Sequence, residues 1–457
     1  MERPWLKFYS PNVAADLQVP DIFLPQILDE TAGRFPKNPA VFFFGGKVNY
    51  AALSSHVNRF ANALKGLGFK RGDRLGLLLA NMPEVIISAY GALKAGGMAA
   101  FFDPLSEAEE IRRQLNDAAV ETVVVLDLIL PRVQGVFPQT KVKKWIIASV
   151  KDFLPFPRSY FFSLAARGRG LNVKVSRQPN YHFFMELIQS ASSDPPPPNQ
   201  GPGNPDEPAV IQYTSGTAGP AKGVLLSHRN LVANVLQAAV WAGDLEKGKE
   251  AFLSILPFHH SYGMTLAMNL PIYLGAMSVH LPRFETAQAL AAIQKHRLTF
   301  FPVTPSMVGP LSTYLGLDKK KVSSLRPCWA IGGPLAEEAV NGFERILGNR
   351  IVPFYGLTEA SPLTHAMPAA GTRKPASVGI PLPGTDARIV DLGDDGKDLP
   401  LGEPGELAVR GPQVMKGYWN NPQETSRVLR GGWLRTGDLA RMDEEGFFYI
   451  LGKVPNK

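Results

Sequence analysis

Short apolar runs alternate with helix-spaced apolar residues through most of this 457-residue chain. That alternation predicts an α/β fold built on a mostly parallel sheet covered by helices. Length is a second observation: 457 residues exceed one ordinary core and predict two or three packed subdomains. A third is the change of pattern from Gly384 to Tyr449, where short strands and turns predict a small β-barrel or β-rich subdomain.

Ile22, Leu24, Ile27, Leu28 and Phe35 predict a first helix, and the run 40–50 around Gly45-Gly46 a hairpin. Leu53, Val57, Phe60, Ala61, Leu64 and Leu67 recur at helical spacing. Strands follow at 75–79, 98–102 and 122–126, separated by helices over 85–94 and 111–119. Asp194 to Gly203, rich in proline and glycine, reads as a semi-rigid linker between two large subdomains. The expected division is therefore 1–200, 201–383 and a β-rich 384–452, with 453–457 left over.

Hydrophobic content of 45% and charged content of 19% describe a globular chain. A single cysteine, Cys328, excludes an intrachain disulfide framework and a cysteine zinc cluster, and it suits a reducing compartment. The first residues lack an apolar h-region, so no secretory signal is expected and a cytoplasmic location is. The net charge of +8 is matched by 141–180 alone, with nine basic residues against Asp152 and with Phe153, Phe156, Tyr160, Phe161 and Phe162 interleaved. Such a stretch fits either peripheral contact with an anionic membrane surface or a solvated loop with a few tucked rings. No nucleic-acid module accompanies it, so nucleic acid is not an expected partner. Residues 251–282 carry no Asp, Glu, Lys or Arg. Pro257, Pro271, His259, His260 and Asn269 interrupt that stretch, which reads as buried strand, loop, helix and strand rather than a membrane span.

Four stretches carry chemistry. Tyr213 to Gly223 is a Gly/Ser/Thr loop between apolar runs, expected as strand, loop, strand. Its hydroxyls and backbone N–H groups, with Lys222, could form a phosphate nest; the bland reading is a polar hairpin. It is not a GxxxxGK[ST] P-loop, because no Ser or Thr follows Lys222. Leu256 to Met264 holds His259, His260, Tyr262 and Gly263, without His/Glu zinc spacing. Tyr355 to Pro362 supplies an aromatic face, a hydroxyl and the Glu359 carboxylate from one turn, the groups that an adenine, a phosphate and Mg²⁺ need. Arg435-Thr436-Gly437-Asp438 offers a carboxylate suited to ribose hydroxyls.

Together these motifs, in this order, resemble the adenylate-forming superfamily, which includes acyl-CoA synthetases, luciferases and peptide-synthetase adenylation domains. Gly72-Asp73, Asn81-Met82-Pro83-Glu84 and Gly91 to Gly96 match the acyl-CoA synthetase pattern. Pro4-Trp5-Leu6 with Tyr9, and Lys151 to Arg158, resemble the bacterial long-chain fatty acyl branch. The resemblance implies two helix-flanked, mostly parallel sheets in a layered αβαβα arrangement plus the small barrel. It implies that Thr214, Ser215, Gly216, Thr217, Gly219 and Lys222 hold ATP phosphates, and that Glu359 and Thr217 hold Mg²⁺. Adenine and ribose would meet Gly332, Gly333, Pro334, Tyr355, Gly356, Thr358, Asp438 and Ile450. The acyl group would meet His259, His260, Tyr262 and Gly263, and Thr214, Lys222 and Glu359 would be catalytic.

The implied reaction joins a long-chain fatty acid to ATP as an acyl-adenylate, with coenzyme A as the later co-substrate. Alternatives are an adenylating domain serving a carrier protein and a non-catalytic nucleotide-binding or membrane-docking module. In the family a lid domain of roughly a hundred residues follows this point. Here Lys453 stands where the resemblance expects arginine, and Val454 to Lys457 lacks the expected hinge. The expectation is a large N-terminal domain, weak in isolation.

Overall fold

The computed structural model describes residues 3–157, 173–196, 203–214, 220–243, 245–317, 319–368, 371–393 and 396–455. An eight-stranded sheet runs, edge to edge, through Gly417–Tyr418, Gly223–Ser227, Pro208–Tyr213, Met98–Phe101, Arg74–Leu78, Thr122–Leu126, Lys144–Ala148 and Tyr181–Phe183. Its strands pair in parallel from Pro208–Tyr213 to Tyr181–Phe183, and antiparallel at the Gly417–Tyr418 edge. Valine-rich strands such as Thr122–Leu126 are buried along their whole length because helices cover both faces.

The two faces sort by residue parity, as a period-two strand requires. Leu78, Val123, Val125 and Ile147 pack outward with Ile111 and Leu115 of helix Ala108–Asp117. Leu75, Leu77, Val124 and Ile146 face inward, in one core with helices Leu24–Arg34, Tyr50–Gly66, Pro83–Lys94 and His228–Trp241. Pro83 through Leu93 are all buried, as befits a helix between two sheets.

Across these helices lies the second sheet. Gly46–Asn49, Pro39–Phe43, Met277–His280 and Ala251–Ser254 form one part, and Cys328–Ala330, Ile351–Gly356, Leu363–Ala366 and Ile380–Pro381 the other. Residues 299–303 stitch the parts together: Phe300 bridges Phe252, and Val303 bridges Ala330, both in parallel. The implied αβαβα layering is therefore present. The sheets do not divide at residue 200, however. Pro39–Phe43 pairs with Met277–His280, while Pro208–Tyr213 and Gly223–Ser227 belong to the first sheet.

The stretch free of charged residues, 251–282, folds as strand Ala251–Ser254, π-helix Gly263–Asn269, helix Leu270–Leu274 and strand Met277–His280. Among the described residues no helix is long and apolar enough to cross a membrane. Much of the basic stretch, including Arg158, Tyr160, Phe161, Phe162, Arg167 and Arg169, lies outside the described residues, as do 197–202 of the linker. Lys143 pairs with Glu121 and Arg177 with Glu186, while Phe153 packs on the core and Phe156 stands exposed.

The β-rich unit is an antiparallel sheet of Asp386–Val390, Gly405–Arg410, Trp433–Met442 and Leu429–Arg430, with Phe448–Lys453 also on Trp433–Met442. The opening segment anchors here and on the edge strand Ile380–Pro381 of the second sheet. Trp5 is buried against Phe448, and Tyr9 donates to the Pro381 carbonyl at 2.6 Å. A buried ion pair, Arg435 with Glu406 at 2.9 Å, crosslinks two neighbouring strands of the β-rich unit. Glu406→Gln leaves that guanidinium without its carboxylate, and the unfolding free energy should drop by roughly 3 kcal/mol. Denaturant melts read this directly; an unchanged midpoint would mean that the pair adds no stability.

Three histidines enter the core neutral. His228 accepts the Leu24 N–H at 3.2 Å, and burial lowers its pKa to about 4. Burial lowers His280 and His365 to about 3. The unfolded chain takes up these protons first as pH falls. Each histidine therefore removes stability between about pH 6.5 and its folded value, by up to about 1.4 kcal/mol per unit. Asp152 opposes the trend, because burial raises its carboxyl to about 7. His280→Leu isolates one histidine: from about pH 7.5 to about pH 5 its melting temperature should fall less steeply than the parent's. Parallel curves would show that His280 accepts a proton while folded.

Candidate active site

The sequence places a Gly/Ser/Thr loop between two strands, and the structure closes those strands into an antiparallel hairpin with Tyr213 opposite Gly223. At its neck the Thr214 N–H donates to the Lys222 carbonyl, and the Lys222 N–H donates to Thr214 Oγ1, both at 3.0 Å. Thr214 thus spends one lone pair on closing the hairpin and keeps its O–H to donate. Ser215, Gly216, Thr217 and Gly219 lie outside the described residues. Tyr213 anchors the neck by donating to Asp117 at 2.6 Å, and Gln212 donates to the His259 carbonyl at 3.0 Å.

Lys222 is turned toward groups that sequence reading missed. Its ammonium pairs with Glu424, at the start of helix Pro422–Val428, and lies 5.1 Å from the Tyr418 ring centre. Arg427 first, and Lys222 after it, hold the Glu424 carboxyl below its ordinary range. The Tyr418 hydroxyl donates to Glu359 Oε1 at 2.7 Å. Glu359 sits in the 3-10 turn Thr358–Ala360, half-buried, its backbone carbonyl accepting from the Met415 N–H. Among the described residues its other oxygen has no hydrogen-bond partner, and no group of three or more His, Cys, Asp or Glu gathers as a metal cluster. A single free carboxylate oxygen suits Mg²⁺, which takes one or two carboxylates and completes its shell with water and substrate phosphates.

The expected adenine and ribose residues sit where parallel strands end. Cys328–Ala330 and Ile351–Gly356 are neighbours, so the exposed corner Gly332-Gly333-Pro334 and the Tyr355-Gly356 turn leave the sheet side by side. Ligands of open α/β sheets bind at such carboxyl ends. Tyr355 donates to Asp438 Oδ2 at 2.7 Å; burial chiefly, and Asp438 next, push its phenol pKa upward. Lys453 meets Asp438 Oδ1 at 2.8 Å, so both oxygens of the expected ribose carboxylate are engaged.

Glu406, which reads in sequence as an ordinary strand residue, shapes this turn by accepting from the Gly437 N–H and from Arg435. Ile450 is half-buried on strand Phe448–Lys453, opposite Ala440.

The expected acyl motif touches the nucleotide motif. Tyr262 donates to the Gly356 carbonyl at 2.9 Å, and Ser261 Oγ lies 3.5 Å from Thr358 Oγ1. His259 lies 3.6 Å from Asp103, yet burial first, and then His260, lower its pKa to about 4, so it is neutral near pH 7. The His259 and His260 rings lie 4.7 Å apart, with His260 exposed. Gly263 carries a packing constraint: a Cβ there would stand 1.9 Å from the Pro257 carbonyl oxygen. Gly356 is constrained alike, by the Pro362 carbonyl oxygen at 1.9 Å. These two glycines are explained by close backbone approach alone.

The family model "AMP-binding enzyme" matches residues 28–419. A long-chain-fatty-acid–CoA ligase of Bacillus subtilis is 39% identical over 460 residues, covering 99% of this chain and 80% of that protein. A long-chain-fatty-acid–CoA ligase of Yersinia pestis is 32% identical, covering 99% and 81%. Among solved structures, a long-chain-fatty-acid–CoA ligase of Archaeoglobus fulgidus superposes with a TM-score of 0.83 at 25% identity, over 97% of this chain and 86% of that one. With a fold, a hairpin and paired site residues of the kind described above, the chain belongs to the AMP-binding, adenylate-forming ligase family.

Proposed function

We propose that this chain activates a long-chain fatty acid with ATP, forming an acyl-adenylate and pyrophosphate, and that the acyl group then passes to coenzyme A. The observation that carries the reading is the link from Lys222 through Tyr418 to Glu359, which sets a cation and a free carboxylate oxygen beside the phosphate-loop hairpin. The fatty carboxylate attacks the α-phosphorus, a P–O bond forms, and the bond to the departing pyrophosphate breaks. Little covalent help is needed, so the work is positioning and charge neutralisation.

Lys222 neutralises phosphate charge once it leaves Glu424, and the Thr214 O–H can donate to a phosphate oxygen. Asp438 and Tyr355 hold the ribose. Mg²⁺ bound at Glu359 would screen the phosphate oxygens. Support for a long apolar substrate comes from the names of the relatives, from the stretch 251–282 without charged side chains, and from the neutral His259.

ATP–pyrophosphate exchange tests this. Exchange should depend on a long-chain fatty acid, be weak with acetate, and fall by roughly 100-fold or more in Lys222→Ala. ATP binding without exchange for any carboxylate would instead favour a non-catalytic nucleotide-binding module.

A further inference from the structure

Tyr418 belongs to none of the four motif stretches, yet it touches two of them. Its strand, Gly417–Tyr418, pairs antiparallel with Gly223–Ser227, the outgoing arm of the phosphate-loop hairpin. Backbone groups already hold it there. The Trp419 N–H donates to the Gly223 carbonyl at 2.7 Å, and the Tyr418 N–H donates to Thr425 Oγ1 at 2.9 Å. The strand is therefore anchored through its backbone as well as by the buried ring. The face of that ring carries the Lys222 ammonium at 5.1 Å, and the Tyr418 hydroxyl reaches Glu359 Oε1 at 2.7 Å. A hydroxyl–carboxylate bond is charge-assisted and directional, so it sets the rotation of the carboxylate. A cation over an aromatic face is held without being neutralised by a counter-charge.

We infer that Tyr418 is a positioning residue that couples the phosphate-loop lysine to the metal-binding carboxylate. Its ring guides Lys222 from Glu424 toward phosphate, and its hydroxyl aims the free oxygen of Glu359 at Mg²⁺. The inference rests on the adenylation reading for its ligands, ATP and Mg²⁺.

The two contacts separate chemically, and two variants of the full chain test them. Tyr418→Phe keeps the ring and loses the hydroxyl. Calorimetric ATP affinity without Mg²⁺ should be unchanged, while the Mg²⁺ concentration that half-maximally strengthens ATP binding rises about tenfold. Tyr418→Leu loses both groups. It should show the same Mg²⁺ defect and, in addition, an ATP affinity without Mg²⁺ weakened about threefold to tenfold. Phenylalanine thus rescues one defect and not the other.

If Tyr418→Phe binds Mg²⁺ and ATP like the parent, or if it shares every defect of Tyr418→Leu, the coupling role is overturned. Should the leucine variant fail to fold, the Mg²⁺ dependence of Tyr418→Phe still decides. These binding readouts do not depend on turnover. A parent that binds Mg·ATP but shows no exchange defeats the adenylation reading and leaves the test of Tyr418 readable.

Discussion

Two residue pairs of edge-strand backbone, Gly417 with Leu225 and Tyr418 with Val224, are the contact on which the site depends. The phosphate-loop hairpin ends the first sheet on one side, and without a further strand the outer edge of its outgoing arm would stay unpaired. The short strand caps that edge with chain arriving from the β-rich part of the molecule. Because Glu424 and Arg427 follow on the same segment, the capping event also delivers the charges that meet Lys222. Trp419 reinforces the join by donating from its indole to the Asp117 carbonyl at 2.9 Å, beside the Tyr213–Asp117 bond. One short strand therefore fixes the hairpin, its lysine and, through Tyr418, the carboxylate of Glu359.

The second sheet contributes differently. Its parallel strands are buried, and their carboxyl ends bring turns out side by side. That geometry needs residues 299–303 between Ala251–Ser254 and Cys328–Ala330, because without that stitch the Gly332 corner and the Tyr355 turn would belong to a separate sheet. Tyr262 then docks the acyl motif onto Gly356. The stretches expected to meet acyl group and nucleotide are neighbours because side-chain hydroxyls of one, Tyr262 and Ser261, reach the Gly356 carbonyl and the Thr358 hydroxyl of the other.

Most local elements were legible in sequence because they follow from nearest-neighbour chemistry. Apolar periodicity placed the helices Tyr50–Gly66 and Pro83–Lys94 within a few residues, and the turn chemistry around Tyr213 to Gly223 announced strand, loop, strand. Partnership between distant segments was not legible. Nothing near Pro39–Phe43 says that it pairs with Met277–His280, so a boundary drawn from the proline-rich linker cut across both sheets.

The site shows the same limit. Lys222, Glu359 and Asp438 stood out by motif, whereas Glu406, Tyr418 and Glu424 matter through contacts across the fold. Only the Gly417-Tyr418-Trp419 cluster, a glycine before two large aromatics and an Asn-Pro helix start, offered a local signal. Gly263 was legible as special but not for its reason, which is the carbonyl of Pro257.

Each charge expected to meet nucleotide already has a protein partner in this structure, so binding becomes an exchange of partners whose ease burial decides. Lys453 is 74% exposed, and an ion pair of that kind contributes little, so Asp438 Oδ1 can turn to a ribose hydroxyl at small cost. Tyr355 is held more tightly, because burying a phenol without an acceptor is expensive, and its bond to Oδ2 should persist. Asp438 would then keep one oxygen fixed by protein and offer the other. Glu359 has the same division, with Oε1 fixed by Tyr418 and its second oxygen open. Two carboxylates, each oriented through one oxygen by a tyrosine hydroxyl, would each turn the opposite oxygen toward a ligand. A tyrosine suits each position because a phenol fixes a carboxylate without neutralising its charge, which a ribose at Asp438 or a metal at Glu359 would need.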